Sequence, residues 1–140
     1  SPTSAMHYGG LAKVMMRQGK MDQAIELYSQ ALDLSEDQAG RLPYMNNIAV
    51  AYGENGVLDK SEYYFRQILE IMPDDSKSWV GLGNIALARR QFEPALEFYL
   101  KAYQFNPRSY VALYNLALVY RAMGNIEKAV YYENKARQRQ

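Results

Sequence analysis

Residues 19–32 read GKMDQAIELYSQAL, and close variants return at 56–69 (GVLDKSEYYFRQIL), 90–103 (RQFEPALEFYLKAY) and 124–137 (GNIEKAVYYENKAR). Ala12, Ala49, Gly83 and Ala117 follow one another at intervals of 37, 34 and 34. Ala24, Ser61, Ala95 and Ala129 keep the same three intervals, and so do Ala31, Ile68, Ala102 and Ala136. Three columns agreeing on one period define an internal repeat, and the repeat governs every later reading. The single exception lies within LDLSEDQAGRLPYMNNIA (32–49). There an insertion is expected to lengthen a turn or a helix end.

Inside each unit the apolar spacing is helical. Tyr8, Leu11, Ala12 and Met15 stand at i, i+3, i+4 and i+7, and Ala24, Ile25, Tyr28, Ala31 and Leu32 repeat the pattern. Gly19, Gly56 and Gly124 fall between the two periodic stretches of their units, where glycine past a helix end is the usual stop. The third unit has Arg90 there, so its turn is expected to carry strain. Asp22, Asp59 and Pro94 suit the first turn of a second helix, and Pro73 and Pro107 close units, since proline cannot continue a helix. The pattern predicts eight helices in four antiparallel pairs. It also predicts that Gly83 and Ala102 sit where helices approach too closely for a larger side chain.

Composition narrows the function classes. The chain has 140 residues, 49% apolar and 22% charged, with a net charge of +1. That is enough for a sizeable core. It lacks the strong basic excess expected of a nucleic-acid or anionic-membrane binder. No cysteine is present, which excludes disulfides, thiolate metal sites and a cysteine nucleophile, and leaves the redox compartment open. His7 is the only histidine, so neither a histidine-supported nucleophile nor a multi-histidine metal site can be assembled. No apolar run reaches the roughly 20 residues of a membrane helix. The carboxylate pairs Glu36-Asp37 and Asp74-Asp75 fall at expected helix starts and read as caps. The 13 tyrosines lack an accompanying basic stripe, and most fall in core columns. The residues therefore point away from an enzyme, and they imply no cofactor and no metal. Ser1 stands where an initiator methionine would, which reads as a piece of a longer chain.

The residues resemble the tetratricopeptide repeat. The third unit carries the fullest match through Trp79, Leu82, Gly83, Ala95, Tyr99, Ala102 and Pro107. The fourth matches through Leu116, Ala117, Tyr120, Gly124, Ala129 and Ala136. The second matches through Ile48, Ala49, Tyr52, Gly56, Phe65 and Pro73, with Ser61 and Ile68 departing where alanine is usual. The first matches through Leu11, Ala12, Gly19, Ala24, Tyr28 and Ala31. The resemblance implies an all-α, right-handed α-solenoid of four helix-turn-helix repeats, forming one domain with units at roughly 5–38, 42–75, 76–109 and 110–140.

It further implies that the first helix of each pair lines a concave groove in which extended peptides or helices are held. Carried over by position, the groove columns hold Met6, Lys13, Met16 and Arg17 in the first unit and Asn46, Asn47, Val50 and Glu54 in the second. The third unit places Lys77, Val80, Asn84 and Leu87 there, and the fourth Val111, Tyr114, Asn115, Leu118 and Arg121. Four cations stand against one anion, and several apolar residues are surplus to the inter-helix core. A ladder of Asn47, Asn84 and Asn115 suits a peptide backbone, because a carboxamide both donates and accepts. The two-carboxylate clamp by which some members hold chaperone tails is not matched. Asn47 and Lys77 occupy two of its five columns, but Gly9, Lys13 and Gly81 fill the others in place of Lys, Asn and Arg.

Terminal units of a stack must differ from internal ones. The core columns Tyr28, Phe65 and Tyr99 and Leu32, Leu69 and Tyr103 become Glu133 and Arg137 in the last unit, spaced for a surface ion pair and read as a cap. At the other end Met6, Tyr8 and Met15 stay apolar. The expected function is a non-catalytic adaptor for an amphipathic, mildly acidic protein segment, with no nucleic acid and no membrane insertion. A monomer or weak homo-oligomer is expected. The alternative is a structural or self-assembly module whose apolar end or 35–45 loop docks a second copy or the rest of a larger protein.

Overall fold

The structure, a computed structural model, describes residues 2–138, with the side chain of Pro2 excepted. Eight helices run in order as α1 (Pro2–Arg17), α2 (Met21–Leu34), α3 (Gln38–Glu54), α4 (Leu58–Ile71), α5 (Ser76–Ala88), α6 (Phe92–Phe105), α7 (Tyr110–Ala122) and α8 (Ile126–Arg137). No strand occurs among the described residues. The fold is an all-α helical repeat. It divides into two compact units, Ser1–Ile71 and Met72–Gln140, each made of two helical hairpins. In each unit the second helix of the first hairpin packs on the first helix of the next, α2 on α3 and α6 on α7.

All four hairpins close in the same way. In the first, the Lys20 amide donates to the Met15 carbonyl at 2.9 Å and the Gly19 amide to Met16 at 3.0 Å. The pairs Val57–Tyr52 and Gly56–Gly53, Gln91–Ala86 and Arg90–Leu87, and Asn125–Tyr120 and Gly124–Arg121 repeat it. This is the paired-bond helix stop that needs a left-handed residue after the cap. Gly19, Gly56 and Gly124 have φ of 76°, 79° and 82°, and Arg90 adopts 59°. The anticipated strain is therefore present, offset in part by the Arg90 guanidinium lying 5.4 Å from the centre of the Phe92 ring. Arg90→Gly is expected to stabilise the second unit by about 1 kcal/mol, because the left-handed penalty of an L residue is removed. Urea denaturation checks it; a loss of stability would show that the ring contact outweighs the backbone strain.

The starts of α3 and α5 are capped from the two expected carboxylate pairs. Asp37 accepts from the Gly40 amide at 2.7 Å, and Asp75 accepts from both the amide and the hydroxyl of Ser78. Ser109 and Asn125 cap α7 and α8 from their side chains. The insertion between Ala31 and Ala49 lengthens a helix end. It extends α3 at its start to 17 residues, against 13 for α5 and α7, with Pro43 inside the helix. Arg41 on this added turn donates to the Leu32 carbonyl at the end of α2 at 2.9 Å.

The small columns lie in the core. Ala12, Ala24, Ala31, Ala49, Ala95, Ala102 and Ala129 are wholly buried. Ser61 replaces alanine without leaving its hydroxyl stranded, since Oγ donates to the Ala49 carbonyl at 2.6 Å. Gly83 lies under the ring of Tyr99. A methyl group there would stand 2.5 Å from Cε1 and 2.7 Å from Cδ1.

Two expectations are corrected. Tyr28, Tyr99 and Tyr120 are buried, but Tyr63, Tyr110, Tyr114 and Tyr131 are exposed, so the tyrosines are not mainly core residues. On α8, Glu133 pairs with Arg121 of α7 instead of Arg137. That helix also exposes Ile126, Val130 and Tyr131, so its outer face is mixed in character, not a polar cap.

Candidate peptide-binding site

In the second unit the first helices, α5 and α7, lie side by side, and the residues expected to form a groove can be followed atom by atom. On α7, Leu113, Leu116 and Val119 are fully buried against the hairpin core, while Val111, Tyr114 and Leu118 are 50%, 48% and 42% exposed. The two sets occupy opposite faces of one helix, as a 3.6-residue period requires. Tyr110 stacks on Tyr114 with ring centres 6.0 Å apart, extending the apolar strip by one aromatic ring. On α5, Lys77 and Asn84 are exposed and Leu87 is half-buried. Val80 and Leu87 pack against the buried cluster around Tyr99, so they serve the core as well as the face.

Asn84 and Asn115 come together. The Tyr99 hydroxyl donates to Asn84 Oδ1 at 2.6 Å, and Asn115 Nδ2 donates to the same oxygen at 3.3 Å. Burial pushes the Tyr99 hydroxyl well above its ordinary pKa, so it remains a donor at any physiological pH. Arg121 is less available than its sequence position suggests. Its Nε donates to Glu133 Oε1 at 3.1 Å and its Nη2 reaches the same atom. Among the described residues, Lys77 of this face makes no such carboxylate bond.

In the first unit Lys13 and Arg17 are exposed on α1, and Asn47 and Val50 are half-buried on α3. Tyr44 of α3 covers Gly9 of α1 so closely that a methyl group at Gly9 would sit 2.6 Å from Tyr44 Cε1. The space that a side chain at position 9 would enter is thus held by the Tyr44 ring. A hollow of about 480 Å³, lined by Ala5, Met6, Glu36, Asp37 and Tyr44 among others, opens beside the added turn of α3. Repeat-based reasoning missed it, because the insertion that shapes it has no counterpart in the other units. Its Asp37 is already engaged as the α3 cap.

His7 is exposed beside Tyr8. Among the described residues no group of three or more His, Cys, Asp or Glu could hold a metal. No described helix is long and apolar enough to cross a membrane.

Comparison with known proteins agrees with the helical-repeat fold. Models of the tetratricopeptide repeat match residues 3–74, 46–110 and 98–131. The BBSome complex member BBS4 of Bos taurus is 29% identical over 92% of this chain, which spans 24% of that protein. The crystal structure of MamA superposes with a TM-score of 0.82 at 19% identity, over 99% of this chain and 80% of its own. The structure of YrrB, described as a tetratricopeptide protein with an unusual peptide-binding site, gives 0.75 at 18% identity over 98% and 69%. With repeat models covering both units and the hairpin closures and alanine columns observed directly, the chain belongs to the tetratricopeptide repeat family.

Proposed function

We propose that the protein is a non-catalytic interaction adaptor that holds an amphipathic, mildly acidic segment of a partner protein against the first helices of its hairpins. One observation carries the reading. The α7 strip of Val111, Tyr114 and Leu118 stays exposed on a helix whose opposite face is fully buried, beside polar groups able to fix a partner's position. In the second unit apolar burial supplies the affinity, Asn84 and Asn115 set register, and Lys77 biases the charge; Asn47, Lys13 and Arg17 offer the same chemistry on the first unit taken by itself. Arg121 contributes less charge because Glu133 offsets it. The peptide-binding site named for YrrB supports the class of partner.

The test uses linear peptides selected by phage display on the wild-type protein. Leu118→Asp is expected to weaken such a peptide at least about tenfold, since it places a charge in the buried centre of the contact. The thermal midpoint should move little, because Leu118 is exposed in the free protein. Peptides that bind the variant and the wild type equally would remove α7 from the interface.

Self-association is a second reading that one observation favours. Leu11 and Val14 of α1 are 40% and 41% exposed at the repeat columns where Leu116 and Val119 of α7 are fully buried. A second helix of another copy would cover them as α6 covers α7. Light scattering that rises with concentration in the wild type and not in Leu11→Glu would establish it.

A further inference from the structure

Resting on the groove reading above, we infer that Tyr99 is a positioning residue: it orients the Asn84 carboxamide so that Asn84 and Asn115 together read the C=O and N–H of one residue of a partner strand bound in extended form. Tyr99 is fully buried and its ring crosses Gly83, and its hydroxyl ends against the side chain of Asn84, a residue exposed on α5. That hydroxyl has one hydrogen to place, and Asn84 Oδ1 accepts it at 2.6 Å. With the carboxamide turned over, the hydrogen would meet an NH2 group and lose its acceptor at the edge of the core, which is costly. The same oxygen accepts from Asn115 Nδ2. Two bonds thus hold one orientation of each carboxamide.

The orientation has a consequence for ligands. With Asn84 Oδ1 occupied twice, Asn84 offers a partner only its Nδ2 donors, and Asn115, having given a hydrogen to Asn84, keeps its Oδ1 as an acceptor. A donor and an acceptor on neighbouring helices complement the C=O and N–H of an extended backbone. A helix cannot use them in its interior, because its amides and carbonyls are already bonded four residues apart. The occupant is therefore an extended strand whose side chains reach Tyr114 and Leu118, in preference to an amphipathic helix lying on the same strip.

The probe is a display-selected linear peptide whose binding depends on Leu118, remade with each backbone amide replaced in turn by an ester. One ester is expected to weaken binding to the wild type about tenfold, the loss of one buried hydrogen bond. The same ester should cost less than about twofold on Asn115→Ala, since the acceptor it addressed is gone. Tyr99→Phe should weaken the parent peptide about three- to tenfold, and adding Asn84→Ala to it should cost little more, a coupling that a purely structural tyrosine would not show. Asn84→Asp keeps the acceptor that Tyr99 needs and removes only the outward donors. It is expected to weaken the peptide to a similar degree at high salt, which decides the matter even where Tyr99→Phe folds poorly. A flat ester profile, or full affinity in Asn84→Asp, overturns the inference while Leu118-dependent binding keeps the groove. Failure to recover any Leu118-dependent peptide overturns both.

Discussion

Tyr99→Ala is expected to cost about 3–5 kcal/mol, the range for deleting a fully buried aromatic ring from a packed core. The ring lies in one buried cluster with Ala86, Ala95, Leu116, Val119, Tyr120 and Ala129, so it joins the third hairpin to the fourth. The alanines among these neighbours have no side chain long enough to fill the void. A domain of this size has roughly 5–15 kcal/mol in all, so the loss should appear as a large fall in the urea midpoint. Tyr99→Phe keeps the ring and loses one hydrogen bond, and about 1 kcal/mol is expected. Equal costs for the two variants would show that the hydroxyl, and not the ring, is what the second unit depends on.

Gly83→Leu is the second large effect, expected near 3 kcal/mol, the upper end of overpacking costs. A Cβ alone would stand 2.5, 2.7 and 2.8 Å from three atoms of the Tyr99 ring. The ring is enclosed and its hydroxyl is tied to Asn84, so it cannot swing aside cheaply. Replacing a mid-helix glycine should itself favour the helix by about 1 kcal/mol, and the clash has to exceed that. The decisive comparison is Gly83→Ala in wild type and in Tyr99→Leu. The first should destabilise; the second should be much milder, because the two residues occupy one contact. Thermal and urea unfolding of the four proteins give the coupling directly. Additive effects would place Gly83 in some contact other than the one with Tyr99.

The fold was legible because its rules are local. Helix stops at Gly19, Gly56 and Gly124, acidic caps at Asp37 and Asp75, and buried columns through Ala24 and Ala95 each depend on residues within one or two turns. Even Arg90 could be marked as strained, since a left-handed position is required there whatever the side chain. The insertion was located but not resolved. Only the structure shows that it adds a turn to α3 and carries Arg41 to the end of α2.

The candidate site was legible to the level of a helix face and no further. Columns say that Asn84, Asn115 and Arg121 look outward; they do not say what each atom meets. Asn115 reaches Asn84 across 31 residues of sequence, and Arg121 meets Glu133 across 12. Such partners are set by the angle between helices, which a repeat period does not encode. The reading of Glu133 with Arg137 failed for that reason, because a cross-helix partner at Arg121 competed with the i, i+4 one. The share of tyrosines in the core was overestimated: Tyr63 and Tyr131 fall in the repeat column of the exposed Glu26 and Glu97.

The adaptor reading stands or falls on where a bound peptide lies. Backbone amide shifts of the labelled protein, titrated with a display-selected peptide, measure this directly. Shifts are expected to concentrate on α5 and α7, around Lys77, Asn84, Tyr114, Asn115 and Leu118. Shifts confined to α6 and α8, or to the outer side of α1, would contradict it.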